Sequence, residues 1–389
     1  MLIPVKLKEL GDIITGNTPS KKEISYWDSK DICFVKPNSI SEQGISIVKN
    51  TTEYLSEKAS SKARIVTKDA VFVTCIGTIG KIGLAAEGRY AFNQQINVVV
   101  PNTKVLPKYL AYALLSSKKR LEDIANAPVV PIINKTQFGE FSIKIEDNTL
   151  LQKDIVNILD KVVGIIDFRR KELQCLDNLV KARFVEMFGA LNNTSYETLP
   201  LGDICEFIKD GTHQTPTYTE DKDQGYKFLS SKDVTSQEIS WSNIKYIPES
   251  LHNELYSKLA PRRGDILLAK NGTTGLAAIV DTDEVFDIYV SLALLRPKVG
   301  YNSRYLWAVI NSNDTKMQFN ANLKGIGVPN LHLGEIKKAK VIVPPLEQQE
   351  KFAVFLEQID KSKVVVPSKI KNAIFVIMLS VSFGQITSI

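Results

Sequence analysis

Short apolar runs bounded by glycine, proline or asparagine alternate along this chain with stretches of helical spacing. Ala70 to Cys75, Gln95 to Val100, Ile266 to Ala269 and Val341 to Val343 have strand length and read as buried strands. Tyr109 to Leu121 and Tyr305 to Phe319 carry apolar residues at helical spacing and read as helices. From Leu150 the pattern changes. Ile155, Leu159, Val162, Ile166, Leu173, Leu176, Val180 and Met187 advance by three and four with charges between them, interrupted only near Arg169. Proline is absent between Leu150 and Phe188, which predicts one helix of about 38 residues, roughly 57 Å long. Gly189 and the polar run Asn192-Asn193-Thr194-Ser195 should end it. So narrow a seam needs a partner. The segment after Pro344-Pro345, with Phe352, Phe355, Leu356 and Ile359, supplies one, and an antiparallel coiled coil is the economical arrangement.

The same units occur twice, in order. Leu10-Gly11-Asp12-Ile13 returns as Leu201-Gly202-Asp203-Ile204, each followed closely by Gly16-Asn17-Thr18 or Gly211-Thr212-His213. Phe34-Val35-Lys36-Pro37-Asn38 parallels Phe228-Leu229-Ser230-Ser231-Lys232-Asp233. Lys68-Asp69-Ala70-Val71 with the turn Gly77-Thr78-Ile79-Gly80 parallels Arg263-Gly264-Asp265-Ile266 with Gly272-Thr273-Thr274-Gly275. Gly139-Glu140-Phe141 and the Gln152 helix parallel Gly334-Glu335-Ile336 and the Gln348-Gln349 helix. Offsets of about 191 to 197 residues throughout mark one unit duplicated. The expected fold class is α+β, with two similar mixed domains in tandem separated by long helices. Residues 1–149 and 191–345 form the domains, 150–190 the central spacer, and 346–389 a distal helix with an atypical tail.

Composition narrows the class. A chain of 389 residues with 44% hydrophobic and 24% charged residues can bury two cores without disulfides or lipid. Cys33, Cys75, Cys175 and Cys205 form no CxxC pair, no two histidines have metal-ligand spacing, and a reducing cytoplasm fits best. The start lacks the run of a signal peptide, and Ala373 to Val381 is too short to span a bilayer, so no membrane partner is expected. A net charge of +6 is compatible with a polyanionic partner.

These ordered motifs resemble the specificity subunits of Type I restriction-modification enzymes. The resemblance covers residues 5–363 and rests on Leu10 to Ile13 with Gly16 to Pro19, the turn at Gly77 to Gly80, and Pro344-Pro345-Leu346-Glu347-Gln348-Gln349 opening a helix. It implies a non-catalytic subunit whose two repeats each read half of a bipartite double-stranded DNA site. It further implies that the paired helices hold the readers apart and dock methyltransferase subunits, with restriction subunits joining that core. S-adenosylmethionine, ATP and magnesium would belong to those partners, and none to this chain. One departure concerns the tail: Val364-Val365-Val366-Pro367 should kink or stop the distal helix. Beyond it, an apolar segment either packs back on the seam or is an out-of-frame remnant.

Candidate DNA-binding residues lie in the repeated loops. Gly77-Thr78-Ile79-Gly80-Lys81 has two residues between its glycines and Ile82 after the lysine, so it fails the spacing of a nucleotide-binding loop. A plain hairpin turn and a DNA-facing loop both remain. Lys81 can neutralise a phosphate, Thr78 stands in the turn, and Asn93, Gln94 and Gln95 offer amides suited to adenine edges. Lys270, Asn271, Thr273 and Thr274 offer the same mixture in the second repeat. Lys36, Asn38 and Lys232 sit where a strand leaves for a loop, and Thr18, Thr212 and His213 follow the opening glycines; each reads as a DNA contact or as a solvated turn. His252 and His332 read as core or surface residues. Glu220-Asp221-Lys222 superficially resembles a nuclease's acidic pair and lysine, but its polar surroundings read as a solvated loop. A methyltransferase's Asn/Asp-Pro-Pro-aromatic segment is missing. The rival reading is a scaffold whose repeats bind protein surfaces.

Overall fold

The computed structural model describes residues 2–125, 130–234, 236–272, 274–323 and 329–364. They fall into two compact units, divided between Arg170 and Lys171 inside the long helix.

The first unit runs β1 Leu2–Lys6, α1 Leu7–Leu10, β2 Gly11–Thr15, β3 Ile32–Val35, β4 Ile45–Val48, β5 Glu53–Leu55, β6 Ile65–Thr67, β7 Val71–Thr74, β8 Ile82–Ala85, β9 Arg89–Phe92, β10 Ile96–Pro101, α2 Pro107–Ser116, α3 Lys118–Ile124, α4 Lys135–Glu140, β11 Ser142–Glu146 and the first part of α5 Thr149–Phe188, whose remainder belongs to the second unit. Strands β2-β10-β7-β8-β4 form one sheet, β5-β3-β9-β6 a second, and β1 pairs with β11. The second unit contains β12 Glu197–Pro200, α6 Leu201–Ile204, β13 Cys205–Asp210, β14 Tyr226–Leu229, β15 Lys245–Ile247, α7 Glu249–Lys258, β16 Ile266–Ala269, β17 Ala277–Ile279, β18 Phe286–Ile288, β19 Leu292–Pro297, α8 Ser303–Ile310, α9 Asn313–Ala321, α10 Leu333–Lys338, β20 Lys340–Val343 and α11 Leu346–Val364. Its sheets are β13-β19-β16-β17, β15-β14-β18 and β12-β20. The strands of the second unit follow the order of those in the first, including the parallel contact of β3 with β9 and of β14 with β18. The differences are local: β4 and β6 have no counterpart among the described residues of the second unit, and α7 follows β15 where a 3-10 turn and β6 follow β5.

The apolar runs are continuous because both faces of the central strands are covered. On β7, Val71 and Val73 face the helices while Phe72 packs with Tyr90 and Phe92 toward the second sheet. On β16, Ile266 and Leu268 take the helix side and Leu267 and Ala269 the other. This is the period of two expected of a strand buried on both sides.

Helix α5 is 40 residues long, as the seam predicts. Gly189 ends it with φ of 77°, and a Cβ there would lie 2.6 Å from the Asn193 carbonyl oxygen. Within the second unit α11 runs antiparallel to the end of α5. Phe352, early in α11, packs on Phe184 and Phe188 at ring separations of 5.6 and 5.5 Å. Lys363, at its far end, pairs with Asp177 at 2.6 Å. Of the seam residues, Leu159, Ile166, Phe352, Leu356 and Ile359 are buried, and Ile155, Val162, Leu173, Leu176, Val180 and Phe355 are half-buried. Ile155 packs against the core of the first domain.

Each helix is tied to the domain before it by one buried glutamine. Gln152 Nε2 donates to the carbonyls of Glu146 (2.7 Å) and Lys104 (3.0 Å), and its Oε1 accepts from the Leu106 amide (2.8 Å). Gln349 Nε2 donates to the Pro344 carbonyl (2.8 Å), and its Oε1 accepts from the Asn302 amide (2.9 Å). The expected break between Lys363 and Pro367, and the fate of the tail, lie outside the described residues.

Candidate nucleic-acid interface

Four loops converge at one end of the first domain's sheet. The Gly16 amide donates to Ile96 O (3.0 Å) and the Asn17 amide to Phe92 O (2.9 Å). So close is this approach that a Cβ on Gly16 would lie 2.1 Å from Asn93 O. Cys75 N then donates to Gln95 O (2.8 Å), Ile133 N to Cys75 O (2.9 Å), Gly77 N to Pro131 O (3.0 Å) and Gly80 N to Thr74 O (2.9 Å). The turn between Cys75 and Lys81 has Gly77 and Gly80 both at φ of 76°, a left-handed conformation that favours glycine.

This frame brings several expected residues together. Thr18 Oγ1 donates to Gln94 Oε1 at 2.9 Å, and both residues are exposed, as are Thr78 and Asn38. Gln95 is half-buried. Lys81 reaches the Lys36 turn, with Nζ 3.4 Å from Pro37 O and 3.6 Å from Glu42 Oε1. Lys36 pairs with Glu53 and holds that carboxyl below its usual range. Both lysines are thus neutralised by neighbours in the free protein. Asn93 is placed otherwise than expected: it is buried, its Nδ2 donates to Gln95 Oε1 (2.7 Å) and its Oδ1 accepts from the Gln95 amide (3.2 Å). Its amide is committed inside the loop.

The second domain repeats the frame. Lys270 N donates to Ser291 O (3.0 Å), Leu331 N to Lys270 O (2.8 Å), Gly272 N to Pro329 O (3.3 Å) and Gly275 N to Ala269 O (2.8 Å). Thr212 N donates to Ile288 O at 3.0 Å, and Gly272 and Gly275 have φ of 75° and 80°. His213 and Lys232 are exposed, and Thr212, Asn271 and Thr274 are half-buried; Thr273 lies outside the described residues. Lys270 differs from its expected role. Its side chain is only 7% exposed, with Nζ 2.9 Å from Asp210 Oδ1, an ion contact outside hydrogen-bond angles. His252 is a core residue, stacked on Tyr226 and 2.7 Å from Asp287 Oδ2, while His332 is exposed.

Sequence reasoning overlooked the fourth loop. Val130-Pro131-Ile132-Ile133 and Val328-Pro329-Asn330-Leu331 are a further repeat, and this Val-Pro-x-apolar signal could have revealed it. Glu220-Asp221-Lys222 forms a turn in which Asp221 Oδ1 accepts from the amides of Asp223 and Gln224. Among the described residues, no group of three or more His, Cys, Asp or Glu could hold a metal, and no helix is long and apolar enough to cross a membrane.

A duplicated loop frame on two matching domains, joined by a helical spacer, defines a two-module recognition protein. The sequence model of the Type I restriction modification DNA specificity domain matches residues 4–178 and again 193–374, and the chain belongs to that family. It is 23% identical over 337 residues to the MjaVIII specificity subunit of Methanocaldococcus jannaschii, covering 80% of this chain and 78% of that one. The fold is similar to the crystal structure of a Type I system S subunit from M. genitalium, at 16% identity, TM-score 0.52, and 97% and 93% coverage of the two chains. It is equally similar to a chain from a study of complex assembly and conformational transition in a type I system, at 16% identity, TM-score 0.54, and 98% and 97% coverage. The chain is therefore a DNA-sequence specificity subunit, a non-catalytic component of its system.

Proposed function

We propose that each domain reads one half of a bipartite duplex site through its loop frame, and that the paired helices dock methyltransferase subunits, to which restriction subunits are added. The observation that carries this reading is the frame itself, built twice with the same main-chain hydrogen bonds and offering polar side chains at its rim. Thr18, Asn38, Thr78, Gln94, Gln95, Thr212, His213, Lys232, Asn271 and Thr274 are the direct contacts in this reading, with Thr273 beside them. Lys36 and Lys81 turn from Glu53 and Glu42 to phosphates. Asn93 and Lys270 hold loops in place. S-adenosylmethionine, ATP and magnesium serve the partner subunits. The whole assembly works in the cytoplasm, in keeping with four free cysteines, of which burial pushes Cys75 and Cys205 up to about 12.

Gel-shift titration across a salt series, with and without methyltransferase partner, tests this. Affinity should fall log-linearly with salt, by a slope of about 0.9 per phosphate neutralised, and a split-site preference should emerge with the partner. Binding that ignores salt and sequence would favour the scaffold reading.

A further inference from the structure

The two glycine turns pair residue for residue, because four main-chain hydrogen bonds recur in each: those of Gly80, Cys75, Ile133 and Gly77 match those of Gly275, Lys270, Leu331 and Gly272. Inside this common frame Ile76 forms a single antiparallel bridge with Ile132, and Asn271 forms the same bridge with Asn330. One pair is apolar and reaches solvent, with Ile132 41% exposed. The other is polar and unsatisfied: Oδ1 of Asn271 and Oδ1 of Asn330 are each enclosed without a hydrogen-bond partner. Enclosed amide oxygens without donors work against folding, so two of them at one bridge point to a role outside the fold. Rotation about the last side-chain torsion exchanges amide nitrogen and oxygen at little steric cost, so each asparagine can turn either its donor or its acceptor outward, and the two together can present one of each.

We propose that these paired positions set base specificity. Ile76 and Ile132 contact a thymine C5-methyl group in the half-site of the first domain, and Asn271 and Asn330 contact the adenine N6/N7 edge in the half-site of the second. The chemistry follows from the major groove, where only thymine presents a methyl group and where adenine offers an N6 donor and an N7 acceptor, which one outward amide oxygen and one outward amide nitrogen of the pair can meet. This inference rests on the proposal that the loop frames face DNA.

The test uses the wild-type chain with its methyltransferase partner, once methylome sequencing has given the split motif. Duplexes carrying deoxyuridine for each thymine of the first half-site, one at a time, should reveal one position where binding weakens about fourfold, the effect of one lost methyl contact. 7-Deazaadenine in the second half-site should weaken binding about tenfold at one position. A split motif insensitive to either replacement overturns the inference alone. Absence of any split motif overturns the DNA-facing reading of the loops and this inference with it. In cells, the double substitution Ile76→Asn with Ile132→Asn should change the preferred base at one position of one half-site; an unchanged motif at wild-type methylation would overturn the assignment.

Discussion

Lys270 lies on the inward parity of its strand. The period of two that sends Ile266 and Leu268 to the helix side sends Lys270 the same way, as it sends Asp210 after Ile208. Composition alone marks Lys270-Asn271-Gly272 as a polar loop; only the strand's extension into it reveals the enclosed ion pair. Lys270→Met should therefore destabilise the second domain by roughly 3 kcal/mol, because it leaves the Asp210 carboxylate without its cation. Adding Asp210→Asn should recover most of the loss, and urea unfolding of the three proteins measures it. Equal midpoints for wild type and the single variant would show that the pair contributes nothing. Asn93 was hidden for a related reason: a run of three amides looks equally available in sequence, whereas its hydrogen bonds to Gln95 spend one of them on shaping the loop.

Elements were legible where periodicity is long. Forty helical residues announce α5, yet counting from Val180 to Met187 passes over Phe184 and Phe188, which form the aromatic contact with Phe352 and Tyr305. At 3.6 residues per turn the buried face drifts round the helix, so a seam read from one end loses its place by the other. The glutamine anchors have no periodic signal at all. Gln152→Leu should leave the Leu106 amide and two carbonyls unpaired, costing about 2 kcal/mol or more. The expected readout is a lower Tm with faster hydrogen exchange at Leu106, and Gln349→Leu should do the same at Asn302. Unchanged exchange at Leu106 would mean that the anchor is replaceable by packing.

For the whole molecule, duplication was the legible property, since motifs that recur in the same order at a nearly constant offset survive even where individual residues diverge. The segments around β4 and α7 were not, because they differ between the repeats. Exchange of residues 1–145 for the matching part of a relative should change one half of the methylated site and leave the other intact; a change in both would end the modular reading. Four residues inserted near Arg169 would lengthen the helix by about 6 Å, close to two base pairs at roughly 3.4 Å each. Methylome sequencing should then show altered spacing with both half-sites retained, and unaltered spacing would show that the helix does not set the distance. The main-chain frame around each glycine turn has one more consequence, for heredity. Its hydrogen bonds run between backbone groups and do not depend on side-chain identity at Ile76 or Ile132. Mutational drift at these two codons can thus change a reader's preference without passing through an unfolded protein, and a library randomised there should express mostly as folded chains with divergent targets.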